Sequence, residues 1–262
     1  MNLGLQKKVA LVAASSKGLG KAVAIGLATE GAHVCICARN KEELEKTKNE
    51  IQQYGTEVLA FTADLTQYNQ VKNLVGKTLD YFGRVDILVT NCGGPPPGSF
   101  LDFSIENWRH AIDLNLMSTI YLCKEILPIM IKQNSGRIIM ITSVSVKQPI
   151  PGLILSNVVR AGVTGLAKSL SNEFGKRNIL INTVCPGYTS TERVKQLAET
   201  ISRDRRVEKE KIIQEWANQN AVERLAKPEE FANVVVFLAS DKASHLTGTS
   251  IQVDGGYVKS LL

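Results

Sequence analysis

The chain has 262 residues, 44% hydrophobic and 21% charged, with 31 basic against 25 acidic side chains for a net charge of +6. These proportions belong to a folded globular protein and exclude a disordered or collagen-like one; at roughly 150 residues per domain the length allows one large α/β domain or two smaller ones. The modest positive excess suits a phosphorylated cofactor or an acidic partner, whereas dispersed basic residues without an aromatic-studded motif argue against nucleic acid.

The first residues carry no apolar run of leader type, and no uninterrupted apolar run approaches the ~18 residues of a bilayer span, so neither a signal peptide nor a membrane anchor is expected. Strand-like runs at 9–13 and 33–37 flank a helical pattern at 18–30. A helix at 41–54 leads to a strand at 57–61, one at 67–82 to a strand at 86–90, and one long helix at 108–133 to a strand at 137–142. A helix at 156–176, a strand at 179–184, a helix at 229–240 and a strand at 249–253 complete the series. Near-continuously apolar strands alternating with helices predict a parallel sheet covered on both faces. The expected fold is therefore α/β, a single doubly wound Rossmann-like domain with a seven-stranded parallel sheet.

Residues 189–227 break this rhythm with a dense charge run (Glu192, Arg193, Lys195, Arg203, Asp204, Arg205, Arg206) and helical apolar spacing at Ile212, Ile213 and Trp216. The segment follows a strand's C-terminal end, where open α/β sheets bind ligands, and is expected to form a helical substrate lid. A solvated helical pair with only a packing role is the alternative. Five scattered cysteines (Cys35, Cys37, Cys92, Cys123, Cys185) form no CxxC pair, which predicts a reduced, cytoplasmic protein without a disulfide framework. Three scattered histidines predict no metal site.

The first strand runs into Ala13-Ala14-Ser15-Ser16-Lys17-Gly18-Leu19-Gly20, directly before a helix. Glycines at such a turn let the backbone approach a pyrophosphate, whose charge the helix N-terminus then meets. A glycine turn that only allows tight strand–helix packing is the other reading. The second strand ends in Cys37-Ala38-Arg39-Asn40, with no carboxylate to bind a ribose 2′-hydroxyl and repel a 2′-phosphate. Arg39, a bidentate phosphate donor, and Lys17 select NADP(H) over NAD(H), unless Arg39 is simply an exposed helix-start residue.

Further landmarks are Asp64-Leu65, Thr90-Asn91-Cys92-Gly93, Asn115, Thr142-Ser143, Pro186-Gly187 with Thr191, and Asp254-Gly255-Gly256. In this order the segments resemble the short-chain dehydrogenase/reductase family, especially its 3-oxoacyl-acyl-carrier-protein reductase branch, over essentially the whole chain. The resemblance implies that Ser15, Ser16, Lys17, Gly18, Leu19 and Gly20 line the pyrophosphate and ribose. It assigns Arg39 and Asn40 to the adenosine phosphate, and Asp64 and Leu65 to the adenine. Asn91 and Gly93 fall along the adenosine ribose, and Pro186, Gly187, Thr189 and Thr191 at the nicotinamide. Ala14 replaces the family's first glycine, which requires a negative φ there. Cys92 and Thr90 depart from its usual Asn-Asn-Ala-Gly.

The family reduces carbonyls with a serine, a tyrosine and a lysine, with an asparagine holding a water. Ser143 and Asn115 match, but Ser156 stands where the tyrosine belongs and Arg160 where the lysine belongs, in a register fixed by Ala161-Gly162. Arg160 cannot relay a proton yet can hydrogen-bond a ribose, which adds it to the cofactor contacts, and can stabilise an alkoxide. Tyr188, Lys147 and His245 are the other candidate donors; a packed aromatic under the lid is the alternative for Tyr188. Two functions follow: an NADP(H)-dependent reductase of a small carbonyl or acyl-thioester substrate with a rearranged proton donor, or an NADP(H)-binding sensor or assembly subunit without reductase chemistry. The resemblance also implies a homotetramer or dimer, with apolar faces at 112–131 and 158–174, and Lys132 and Arg177 stand where the carrier-protein branch presents basic residues.

Overall fold

The computed structural model describes residues 2–261. Its strands are β1 (Val9–Val12), β2 (His33–Ala38), β3 (Val58–Thr62), β4 (Ile87–Thr90), β5 (Gly136–Ile141), β6 (Ile179–Pro186) and β7 (Ser250–Val253). Its α-helices are α1 (Gly18–Thr29), α2 (Lys41–Gln52), α3 (Tyr68–Phe82), α4 (Ile105–Ile112), α5 (Ser118–Gln133), α6 (Ile154–Phe174), α7 (Glu192–Arg205), α8 (Lys209–Gln219) and α9 (Pro228–Ala239). All strand pairings are parallel, in the order β3-β2-β1-β4-β5-β6-β7. The expected single seven-stranded, doubly wound domain is the architecture observed.

Strand side chains alternate between two faces, and here both faces are apolar because helices cover each. Ala10, Val12, Val34, Ile36, Val89 and Ile139 pack with Leu27 of α1 and Phe231 and Val235 of α9. The intervening Leu11, Cys35, Leu88, Ile138 and Ile181 pack with Leu74 of α3, Leu122 and Ile126 of α5 and Val163 of α6. Each such fully buried aliphatic side chain contributes about 1.5–3 kcal/mol. The chain winds from β1 outward to β3, then returns to place β4 on the other side of β1. That reversal opens a crevice at the carboxyl ends of β1 and β4, flanked by the loops after β5 and β6.

One expected element is corrected. The helix expected at 108–133 begins earlier, because Ser104 caps α4 by accepting the Asn107 N–H at 3.4 Å while its own N–H donates to Asn107 Oδ1 at 3.0 Å. It is also interrupted by a π-helical turn at Asp113–Met117. The whole helical stretch Ile105–Gln133 is long and apolar enough to cross a membrane by length and composition. Within it, Leu122, Ile126 and Met130 are buried in the core beneath the sheet.

The segment expected as a lid folds into α7 and α8, which meet over Ala198, Ile212 and Trp216. Four of the five cysteines are buried, and no disulfide joins any pair among the described residues.

Candidate active site

At the end of β1 the loop enters α1 through Lys17, whose N-cap position carries no side-chain hydrogen bond, and the first turn of α1 holds no acidic residue. Its leading N–H groups therefore lack a side-chain acceptor and carry the positive end of the helix dipole, which suits a pyrophosphate. A Cβ on Gly20 would lie 2.4 Å from the Ala14 carbonyl oxygen and 2.8 Å from Asn91 Nδ2, so only glycine lets loop and helix close this tightly. Asn91 Nδ2 donates to that same carbonyl at 3.2 Å, linking the β4 end to the phosphate loop.

Two expectations in this loop need correction. Ala14 does not keep a negative φ; it sits at +46°, in the left-handed region, because the tight turn dictates the backbone whatever residue fills it. Ser15 is fully buried and turned into the sheet, its Oγ donating to the Val12 carbonyl at 2.8 Å and accepting the Cys37 N–H at 3.1 Å. The outward surface of the loop comes from Ser16, Lys17, Gly18 and Leu19.

Arg39 is exposed beyond the end of β2 and takes part in no ion pair among the described residues. Asn40 Oδ1 caps α2 by accepting the Glu43 N–H at 3.0 Å, which leaves its side-chain NH2 to donate to a ligand. Lys17 Nζ lies 3.7 Å from Glu43, so its charge is partly offset. Asp64 Oδ1 accepts from Thr66 N at 3.0 Å, which fixes the turn beside the buried Leu65. A Cβ on Gly93 would meet nothing within 4 Å, consistent with an open groove. At the end of β6, Pro186 and Gly187 precede the buried Thr189, and Thr191 Oγ1 caps α7 by accepting the Val194 N–H at 3.4 Å. These residues fit a dinucleotide with a 2′-phosphate: undercapped helix N–H groups at one point, an exposed guanidinium without a neighbouring carboxylate at another.

Ser143, Ser156 and Arg160 converge at the carboxyl end of β5. Ser156 and Arg160 stand one turn apart on α6, so they share a helix face. Arg160 Nε donates to Ser156 Oγ at 3.2 Å, and Nη1 donates to the carbonyls of Thr142 at 2.9 Å and Ile141 at 3.4 Å. Both side chains are buried. A guanidinium only donates, so the Ser156 oxygen is held as an acceptor and its own O–H is directed to another group. Ser143 Oγ accepts the Ser145 N–H at 3.1 Å, which likewise leaves its proton to donate.

Asn115 occupies the π-helical turn, buried, with Nδ2 donating to the Ala111 carbonyl at 3.2 Å. Such turns insert an extra residue and frequently mark functional sites. Cys92 Sγ donates to Asn115 Oδ1 at 3.1 Å, a contact that gives the departure from Asn-Asn-Ala-Gly a physical consequence. Burial pushes the Cys92 thiol up, against the pull of the Arg160 charge, so it stays protonated and available to donate.

The other candidate donors separate. Tyr188 stacks on Trp216 with centroids 4.4 Å apart and packs edge-on to Tyr257 at 5.6 Å, so it is the packed aromatic beneath α8. Burial raises its pKa well above the ordinary phenol value. His245 lines a surface hollow with Gly175, Lys176 and Asn178, next to the amino end of β6 and away from Ser143. Lys147 is exposed just past the β5 loop. Two contributors escaped the sequence reading. Asn157 clamps the segment ahead of α6 through both the N–H and carbonyl of Ile150, at 3.3 and 3.0 Å. Arg193 reaches from α7 to the Pro95 carbonyl at 2.6 Å. An amide directly after Ser156 was the only visible signal for the first, and nothing local marked the second.

Comparison with known proteins agrees with this architecture. The profile of a family described as enoyl-(acyl carrier protein) reductase matches residues 13–258. The chain is 33% identical to the uncharacterized oxidoreductase YvrD of Bacillus subtilis (strain 168), over 100% of both chains. It is 35% identical to a 3-oxoacyl-[acyl-carrier-protein] reductase of Synechocystis, over 97% of this chain and 98% of that protein. Among solved structures, the L-sorbose reductase of Gluconobacter frateurii, complexed with NADPH and L-sorbose, superposes with a TM-score of 0.95 at 32% identity, covering 100% of both chains. With the doubly wound sheet, the undercapped phosphate loop and similarity along the whole chain in agreement, the protein belongs to the short-chain dehydrogenase/reductase family.

Proposed function

We propose that the protein is an NADP(H)-dependent carbonyl reductase acting on a small ketone or 3-oxoacyl thioester, with Ser156 and Arg160 replacing the family's tyrosine and lysine. The observation that carries this reading is the Arg160 Nε–Ser156 Oγ hydrogen bond at 3.2 Å, which polarises the serine hydroxyl while the same guanidinium holds the Thr142 carbonyl, one residue before Ser143. The NADPH in the L-sorbose reductase structure supports the cofactor choice.

The reduced nicotinamide, when bound, supplies the hydride that goes to the carbonyl carbon. Ser16, Lys17 and the N–H groups opening α1 hold the pyrophosphate, and Arg39 with the Asn40 amide holds the 2′-phosphate. Asp64, Leu65, Asn91 and Gly93 flank the adenosine, while Pro186, Gly187, Thr189 and Thr191 hold the nicotinamide end. Ser143 donates to the carbonyl oxygen and fixes its orientation. Ser156 protonates the developing alkoxide, and water returns the proton to the serine through the Asn115 side of the site. The Arg160 charge stabilises both oxygens, an effect worth roughly 3–4 kcal/mol for one well-placed oxyanion donor. The α7–α8 pair closes over the substrate as a lid, and two or four chains associate through the apolar faces of α5 and α6, a state light scattering reads directly.

A second reading, an NADP(H)-binding sensor or assembly subunit, has one observation in its favour: Arg160 spends Nη1 on the Ile141 and Thr142 carbonyls. NADPH consumption with a panel of ketones and 3-oxoacyl thioesters, with NADH in parallel, tests the proposal. Turnover that is faster with NADPH supports the reductase. Saturable NADPH binding without turnover across the panel turns the assignment to the second reading.

A further inference from the structure

Arg193 is the second residue of α7, two positions after the Thr191 cap. Its guanidinium lies over the loop that follows β4: Nη2 donates to the Pro95 carbonyl at 2.6 Å, and Nε and Nη2 each lie 3.3 Å from where a Cβ on Gly94 would stand. Glycine at 94 makes room for this seat. Arg193 and Arg160 feel each other, since the Arg193 pKa is lowered first by burial and then by the Arg160 charge. No carboxylate pairs with either among the described residues. Arg193 Nη1 and Arg160 Nη2 also have no protein acceptor among those residues. Arg160 is buried, and Arg193 is an exposed residue whose guanidinium is half-covered where it meets Pro95; two such groups without a counter-ion favour an anion.

The cofactor pyrophosphate has its own donors in the uncapped N–H groups opening α1. A Cβ on Gly18 would lie 3.7 Å from Thr191 Cγ2, so the phosphate loop meets α7 at its cap, on the β1 side. Arg193 instead reaches across to the Pro95 carbonyl beyond β4, and its charge is felt together with that of Arg160, which also acts on Cys92.

We infer that the substrate is an anionic carbonyl compound, an oxo acid whose carboxylate Arg193 grips bidentately while its ketone faces Ser143 and Ser156. This assignment rests on the reductase reading above and narrows its substrate class. Arg193 is the specificity-determining residue, and Arg160 adds to the field that draws the anion in.

Matched pairs test it: 2-, 3- and 4-oxo acids against their methyl esters, as substrates with NADPH and as ligands of the NADP+-loaded protein by calorimetry. The expected result is an acid-over-ester preference of at least tenfold in KM and in dissociation constant, falling to near one in Arg193→Gln and partly restored in Arg193→Lys. Equal handling of acids and esters by the wild type overturns the inference, as does a preference retained in Arg193→Gln. Weakened NADPH binding in Arg193→Gln with the preference intact assigns the guanidinium to the cofactor and overturns it too. Turnover of esters but not acids leaves the reductase standing without this inference. Arginine-dependent binding of acids without turnover of either class fails the reductase reading instead.

Discussion

At the scale of single residues, two substitutions separate what the backbone demands from what the chemistry demands. Ala14 holds φ +46°, a conformation that costs an L-residue about 1–2 kcal/mol. Ala14→Gly removes that cost but adds roughly 0.4–1 kcal/mol of unfolded-state entropy. The net expectation is between no change and about 1.6 kcal/mol of stabilisation, or a melting temperature up to about 6 °C higher in a chain of this size. A melting scan with a lower midpoint contradicts the strain. Ser156 carries the chemical demand. Ser156→Ala keeps the volume nearly constant and leaves Arg160 anchored on Thr142 and Ile141. A positioned proton donor is worth about 10²–10⁴ in rate. A serine is a weaker acid than a phenol, so kcat is expected to fall by about 10² with KM little altered, and a kcat within twofold of wild type removes Ser156 from the mechanism.

Among the elements, the capped helices carry pH dependence that can be worked out by sign. Glu230 lies in the first turn of α9, where it accepts from Arg224 Nη1 and Nη2 at 2.7 and 2.6 Å and from the Lys227 N–H at 2.7 Å. Those hydrogen bonds, Arg224 first, lower its pKa from 4.5 to about 2. A carboxyl depressed on folding stabilises the protein above its unfolded value, and that contribution disappears as pH falls from about 5 to 2. Glu230→Gln is expected to lower stability at pH 7 and to converge with wild type near pH 2, so acid-unfolding curves that stay parallel over this window contradict the pairing. The π-helical turn is the other informative element. It places Asn115 opposite Cys92, where an uninterrupted helix would rotate the residues that follow by most of one position.

For the molecule as a whole, the winding of the sheet brings the phosphate loop, the β4 and β5 ends and the α7 cap to one crevice. Ligand held there stabilises the entire domain by mass action, by about 2.7 kcal/mol at a hundredfold excess over the dissociation constant. NADPH in that excess is expected to raise the melting temperature by about 5–10 °C, and more than NADH does. Arg39→Asp should reverse the order of the two cofactors, because a carboxylate there repels a 2′-phosphate and accepts a ribose hydroxyl. Equal shifts from both cofactors in the wild type would remove Arg39 from cofactor selection.

The sequence alone determined the alternation of strands and helices, the parallel sheet, the phosphate loop and the positively charged end of β2. Each is encoded within a few neighbouring residues, by a hydrophobic period or by glycines at a turn, so local reading suffices. Its boundaries held to a residue or two except in 105–133, where the capping pair Ser104–Asn107 and the π-helical turn lie outside any apolar period. The positions of Ser143, Ser156 and Arg160 were legible from their spacing, yet their joining was not. Arg160 reaches carbonyls 18 and 19 residues away, and Arg193 a carbonyl 98 residues away. Tyr188 reads as a candidate donor until Trp216 and Tyr257 close on its ring. Only the tertiary structure decides such contacts, because they depend on which strand ends lie side by side and on the register between them, and strand order is a property of the winding of the whole chain.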